Sequence, residues 1–139
     1  MFIDIQDYKV VISDAAFRTV SQADPAVVAN AEAEALEEMA GYLRPVYDTD
    51  ALFSAAGSGR NRLLVMYAAD IALYHMSAAL PQKMGAEIRK ERYDRAIKWL
   101  EGVQAGRIVP DIPRAEVSGG NGAPIGISFR CAPRLNHDW

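Results

Sequence analysis

A long apolar segment, residues 63–80, constrains the fold of this chain more than any other feature. It is hydrophobic on nearly every side of a helix with 3.6 residues per turn, which is typical of a helix surrounded by neighbours. The segment is only marginally long enough to cross a bilayer, and a carboxylate such as Asp70 near its middle costs about 2.5–3.5 kcal/mol there. We therefore predict a buried helix over residues 61–80, ended by Pro81, in a soluble protein that makes no membrane contact.

Another helix is predicted over residues 25–43, ahead of Pro45. Asp24 can cap the free N–H groups at its start, and Pro25 suits the first helical position because its missing N–H costs nothing there. The apolar residues of this helix recur at three- and four-residue steps and form one stripe: Val28, Ala31, Ala35, Met39 and Leu43.

A further helix follows Gly85 and ends before Gly106, a natural C-cap. Its apolar stripe consists of Ile88, Tyr93, Ala96, Ile97, Leu100 and Val103. Acids and bases alternate on the outer face, where the spacing predicts the i,i+4 ion pairs Glu91–Arg95 and Asp94–Lys98.

These patterns divide the 139 residues into an N-terminal arm (1–24), a helical core domain (25–106) and a Gly/Pro-rich C-terminal tail (107–139). The apolar residues of the N-terminal arm do not recur at regular spacing, and the arm is predicted to be either a short helix or an extended arm. Residues 47–61 contain small, flexible residues and are predicted to form a loop. The predicted fold class is mainly α, a small helical bundle.

The tail is predicted to be irregular or to form a short β-hairpin, because its prolines and glycines exclude long helices. The turn signal 118–122 separates residues 115–117 from 125–131. A hairpin of two strands is barely stable alone in water. The tail therefore needs a surface to lie on, either its own helices or a neighbouring molecule.

The charge of the chain is small but unevenly distributed. The formal net charge is −3, so no global excess of bases points to nucleic acid. Residues 1–55 carry ten acids and three bases, whereas the remainder carries eight acids and twelve bases. Opposite charge on the two parts suits either pairing within the chain or head-to-tail contact between identical copies.

A basic run on the last predicted helix deserves a separate interpretation. It comprises Arg89, Lys90, Arg92, Arg95 and Lys98, with Tyr93 and Trp99 interleaved. Glu87, Glu91 and Asp94 balance these bases, so we interpret the run as a solvated helix face and predict no specific nucleic-acid binding.

Two carboxylates, Asp70 and Glu32, fall on apolar helix faces and are the candidates for chemistry. They could act as a general acid and base or supply half of a metal site. A metal site needs further ligands, and the chain has only two histidines, His75 and His137, and a single cysteine, Cys131. His75 lies about 140° around the helix from Asp70, which argues against a joint site. We therefore predict structural hydrogen bonding, with no catalytic, cofactor-binding or metal residues and no cofactor.

Three sequence blocks together resemble one known family. An acidic helix ending in Gly-Tyr-Leu (31–43) is followed by Asp-Ile-Ala-x-Tyr (70–74) and then by Arg-Tyr-x-x-Ala-x-x-Trp-Leu (92–100). In this order, within residues 25–106, they resemble the Mu-type phage head–tail joining family, many members of which are described only as a domain of unknown function.

The resemblance implies a helical connector and a non-enzymatic role in the phage neck. Copies would form a ring beneath the portal protein and receive the tail-side neck proteins, with one surface of each copy meeting a different surface of the next. The resemblance implies no catalytic residues. It places the protein in the bacterial cytoplasm during assembly and in the virion neck of a functional phage or prophage.

Two other functions remain open from the residues themselves. One is a free-standing helical regulatory or ligand-binding protein, with its pocket between the helices at 61–80 and 86–105. The other is a small enzyme using Asp70 and Glu32, which requires a pocket that contains both carboxylates.

Overall fold

The computed structural model describes residues 1–78, 80 and 86–116. In this part the chain forms six α-helices, which confirms the mainly helical class. They are α1 (Ile5–Tyr8), α2 (Asp14–Val20), α3 (Pro25–Leu43), α4 (Thr49–Ser54), α5 (Arg62–Ala78) and α6 (Ala86–Gln104), with one 3-10 turn at Gly57–Gly59. The predicted hairpin around residues 118–131, with Cys131, lies outside the described residues, as does His137.

Helix α5 is the centre of the bundle and packs against both α3 and α6. Ten of its 17 residues are buried, and they occupy more than one face, as the all-round apolar pattern predicted. Ala68, Ile71 and Leu73, for example, are completely inaccessible to solvent. No helix in the described part of the chain is long and apolar enough to span a membrane.

Helix α3 has the bounds and the buried face that the sequence predicts. The Asp24 carboxylate accepts a hydrogen bond from the Ala26 N–H at 2.8 Å, and Pro25 occupies the first turn. Four residues of the apolar stripe are buried: Ala31, Ala35, Met39 and Leu43. The helix ends at Leu43, just before Arg44 and Pro45, because Pro45 has no N–H to continue the helical hydrogen bonds.

Helix α6 ends in a tight reversal at Gly106, whose φ of +71° only glycine adopts readily. The Arg107 N–H then donates to the Gly102 carbonyl at 2.9 Å, and the Ile108 side chain lies directly over Gly102. Both ion pairs predicted on this helix differ from the structure, and Glu91 and Arg95 do not form a salt bridge. Asp94 pairs with Lys90 at 2.9 Å, one turn towards the N-terminus, and not with Lys98.

The prediction of a loop over residues 47–61 is wrong for its first half, which contains α4. The Asp48 carboxylate caps this helix by accepting from the Ala51 N–H at 2.9 Å, and Leu52 is buried in the common core. One apolar anchor and one cap are sufficient for a short helix, although they are too few to produce a visible period.

The chain after α6 returns along the C-terminal end of α3. The Asp48 N–H donates to the Pro113 carbonyl at 3.0 Å, and the Ala115 N–H donates to the Val46 carbonyl at 3.1 Å. Tyr47 and Arg114 thereby form an isolated antiparallel bridge. The last described residues are thus fixed beside the end of α3.

Residues 1–24 form α1 and α2 and belong to the same core as the rest of the bundle. Phe2, Ile3 and Tyr8 are each at most 2% exposed. Arg60 ties this segment to the start of α5, because its Nη1 donates to the Phe2 carbonyl at 2.8 Å and to the Asp7 carboxylate at 2.6 Å. The predicted arm is therefore a packed part of the bundle.

Candidate functional site

Asp70 is the most deeply buried ionisable group of the described residues, with a fully inaccessible side chain on α5. The Arg92 Nε of α6 donates to its Oδ1 at 2.6 Å, while Oδ2 is buried without a hydrogen-bond partner among the described residues. The Arg92 side chain is 26% exposed, so the pair connects the core to the surface. A buried carboxylate with a charged partner stabilises the crossing of α5 and α6.

A second guanidinium, that of Arg89, lies one turn before Arg92 on α6. Its Nη2 approaches the Val11 carbonyl at 3.4 Å, and its Nη1 is buried without a partner in the described part. Burial lowers the pKa of Arg89, and the negative charge of Asp70 acts in the opposite direction. An arginine stays protonated under such conditions, so Arg89 carries a fixed positive charge.

Glu32 is 5% exposed on α3, and its Oε1 accepts a hydrogen bond from the Tyr8 hydroxyl of α1 at 2.9 Å. Burial raises the pKa of Glu32, while the bond from Tyr8 opposes this effect. Burial and the nearby charge of Glu32 also raise the pKa of Tyr8 above its usual range. The pair holds α1 on α3, as predicted for a carboxyl group inside an apolar stripe.

The two candidate carboxylates do not form one site. Glu32 is bonded to Tyr8 of α1, whereas Asp70 is bonded to Arg92 of α6. A groove lined by Glu32 does not include Asp70. The arrangement therefore lacks the shared pocket that the enzyme hypothesis required of these two residues.

His75 belongs to a separate cluster at the junction of α3, α5 and α6. Its Nε2 lies 3.0 Å from the Glu38 carboxylate, which also accepts from the Tyr93 hydroxyl at 2.6 Å. Tyr74 stacks on Tyr93 with ring centroids 4.1 Å apart. Burial and the bond to Glu38 raise the pKa of Tyr93. His75 and Asp70 thus have different partners, as their spacing predicted.

Sequence reasoning did not identify Glu38, which is not part of the apolar stripe of α3. Its position is four residues after Glu34, and both lie near the His75 ring, at 3.0 Å for Glu38 and 3.9 Å for Glu34. The only sequence signal for this cluster was His75, a histidine on a helix that was predicted to be surrounded by other helices. Among the described residues, no group of three or more His, Cys, Asp or Glu side chains could hold a metal ion.

The basic run of α6 is partly paired within the protein. Arg92 bonds to Asp70 and Lys90 to Asp94. The exposed Lys90–Asp94 pair agrees with the interpretation of this run as a solvated helix face. Arg92 and Arg89 depart from it, because Arg92 bonds to a fully buried carboxylate and the Nη1 of Arg89 is buried.

An apolar groove of about 640 Å³ lies between α1, α2 and the N-terminal half of α3. Its lining includes Ile5, Ile12, Phe17 and Val28, together with Glu32. The groove lies at the N-terminal helices and not between α5 and α6, where the ligand-binding alternative placed its pocket. A concave surface whose exposed area is mostly apolar suits the binding of an apolar segment.

Comparison with known proteins gives one match. The model of the family described as Bacteriophage Mu, Gp36 matches residues 4–124. The match extends beyond the resemblance in residues 25–106 and includes the N-terminal helices and the groove they form. No curated protein and no solved structure matches the chain.

Proposed function

Because the chain belongs to the bacteriophage Mu Gp36 family, we propose that it is a structural head–tail adaptor that assembles between the portal and the tail of a phage or prophage. The family match over residues 4–124 is the observation that carries this proposal. The adaptor role itself follows from the resemblance of the three helical blocks to head–tail joining proteins. In this role the protein acts by contact and not by catalysis.

The distribution of polar side chains supports an assembly role. Asp70, Glu32 and Glu38 each bond to another helix, so these buried carboxylates hold the bundle together. A nucleophile–base pair in a shared pocket would instead support an enzyme. Helices joined by hydrogen bonds between them are suited to a subunit that must present the same surfaces in every copy.

The charge distribution supports contact between copies. The acidic residues concentrate in residues 1–55, and bases predominate after them. A ring of identical subunits needs two different, complementary surfaces on each copy. The proposed partners are accordingly other copies of this chain, the portal protein and the tail-side neck proteins, with no role for nucleic acid or membrane. The protein would be in the bacterial cytoplasm during assembly and in the neck of the finished virion.

The test is to delete the gene from the phage that carries it and to supply the protein from a plasmid. We expect filled heads and separate tails without the protein, and joined particles when it is supplied. Electron microscopy of the lysate measures the joining, and mass spectrometry of purified particles measures whether the protein is in the virion. Joined, infectious particles in its absence would overturn the proposal. A change in phage gene expression with normal joining would favour the regulatory alternative.

A further inference from the structure

The groove between α1, α2 and α3 exposes apolar side chains that a protein normally covers. Met1 is 83% exposed and Ile5 is 60% exposed, and both line the groove. The inner wall is formed by Ile12 and Phe17. Large apolar residues gathered around a concave surface mark a docking site for another chain.

The charge of the groove limits what can dock there. Its ionisable lining residues are four acids and two bases: Asp4, Asp14, Asp24, Glu32, Lys9 and Arg18. Glu32 is 5% exposed, and its bond to Tyr8 uses only Oε1. A docking segment should therefore be apolar along one side and carry bases.

Residues 117–139 of this same sequence have that chemistry. Ile125, Ile127 and Phe129 stand at every second position, so an extended chain would place them on one face. The segment has two arginines, Arg130 and Arg134, and Asp138 is its single acid. An apolar, basic segment thus complements an apolar, acidic groove.

The last described residues show where the segment leaves its own bundle. The backbone of residues 113–115 is bonded to residues 46–48, beyond the C-terminal end of α3. The groove contacts α3 around Val28, and the distance from there to Leu43 is about 22 Å at the rise of an α-helix. The chain therefore leaves the bundle at the end of α3 opposite the groove. A segment that leaves the bundle at one end and a groove at the other end suit head-to-tail contact between copies.

We propose that this groove receives the C-terminal segment, residues 117–139, of a second copy of this chain. Each copy then donates a segment at one end and accepts one at the other, which is the heterologous contact that closes a ring. The inference rests on the proposed function for its biological setting, and it names the surfaces that join neighbouring copies.

The test uses the full-length chain with one surface disabled at a time. Ala29→Arg places a bulky cation in the groove, at an exposed alanine of α3. Ala33→Arg is the matched control, because Ala33 is also an exposed alanine of α3 but does not line the groove. Ile127→Asp combined with Phe129→Asp disables the donor segment. Sedimentation and light scattering measure the mass of each protein, and circular dichroism verifies that each variant folds.

We expect wild type and Ala33→Arg to associate, and the groove variant and the donor variant each to be monomeric. A mixture of these two defective proteins should form a one-to-one complex, because the intact segment of one fits the intact groove of the other. A synthetic peptide of residues 117–139 should bind the donor variant, with affinity about tenfold or more weaker when Ala29→Arg is added.

Three results would overturn the inference: a monomeric wild-type chain, a mixture that stays monomeric, or Ala33→Arg acting like Ala29→Arg. A monomeric wild-type chain together with peptide binding by the donor variant would show that each groove accepts its own segment, which also contradicts exchange between copies. The assay contains no phage component, so its failure is separate from that of the adaptor role. Normal head–tail joining by Ala29→Arg would defeat the inference and leave the adaptor role intact.

Discussion

The Nε atom of Arg92 lies 2.6 Å from Oδ1 of Asp70, whose side chain is completely buried in the central helix of the bundle. This bond links α5 to α6. Burying a carboxylate is unfavourable unless a partner compensates for the lost hydration, so the position of Asp70 depends on Arg92. Asp70 therefore belongs to a different side-chain pair from Glu32, which is bonded to Tyr8.

Replacing Asp70 should destabilise the protein. Asp70→Ala removes the hydrogen-bond acceptor of Arg92 and Asp70→Asn removes the charge opposite its guanidinium, and we expect a loss of about 1–3 kcal/mol in the free energy of unfolding. Urea unfolding followed by circular dichroism measures the change. Asp94→Asn is the control, because the Asp94–Lys90 pair is exposed and should contribute little to stability. Wild-type stability in both Asp70 variants would refute the structural role.

Glu32 should make stability depend on pH. Burial raises the pKa of its carboxyl in the folded state above the value in the unfolded chain. The folded state therefore binds the proton more tightly, and stability falls as the pH rises from the unfolded value through the folded one. Glu32→Gln cannot ionise but can still accept a hydrogen bond from Tyr8.

The expected result is that Glu32→Gln gains stability relative to wild type as the pH increases from about 4 to about 8. Thermal melting of both proteins across this range measures the difference. Tyr8→Phe keeps the ring but removes the hydrogen bond, and should lower stability by about 0.5–1.5 kcal/mol. Parallel pH profiles for wild type and Glu32→Gln would contradict this prediction.

The sequence predicted the parts of the fold that depend on local patterns. The bounds of α3 follow from Asp24 and Pro25 at one end and Pro45 at the other, because caps and prolines act within one turn. The burial of Asp70 followed from the apolar residues around it. Its partner could not be predicted, because Arg92 is 22 residues away and their contact depends on how two helices cross.

The N-terminal core was missed for a different physical reason. Phe2, Ile3 and Tyr8 lie in and beside a four-residue helix, which is too short to show a period. The groove was missed as well, since it exists only where α1, α2 and α3 meet. Tertiary packing, and not local propensity, determines such features.

Phe2 should be essential to the stability of the bundle. It is 2% exposed and packs edge-on against Phe53, with ring centroids 5.1 Å apart. Phe2→Ala removes this ring from the core, and we expect a loss of about 3–5 kcal/mol. Met1→Ala is the control, because Met1 is 83% exposed. Equal melting temperatures for wild type and Phe2→Ala would show that residues 1–24 are dispensable for folding.

Two glycines in helices should respond differently to alanine. A Cβ at Gly41 of α3 meets nothing within 4 Å, so Gly41→Ala should stabilise the protein by about 0.5–1 kcal/mol through helix propensity. A Cβ at Gly102 would lie 2.7 Å from Cδ1 of Ile108. The Ile108 side chain must then move, and the gain should be reduced or reversed.

Thermal melting of the two single variants measures this difference. Ile108→Val shortens the side chain that meets the new methyl group, so Gly102→Ala should be more favourable in that background than in wild type. A double-mutant cycle gives the coupling between the two positions. No coupling would contradict the close approach of Ile108 to Gly102.

Removing residues 117–139 should leave the bundle folded but prevent it from assembling. The sequence alone placed the start of the tail at residue 107, but the Ala115 N–H is bonded to the Val46 carbonyl, so the deletion should begin after residue 116. The core residues of the described part all precede that point. We therefore expect the helical circular dichroism signal and the melting temperature to change little, while ring formation and head–tail joining are lost. Loss of the helical signal on truncation would show instead that the tail completes the core of its own subunit.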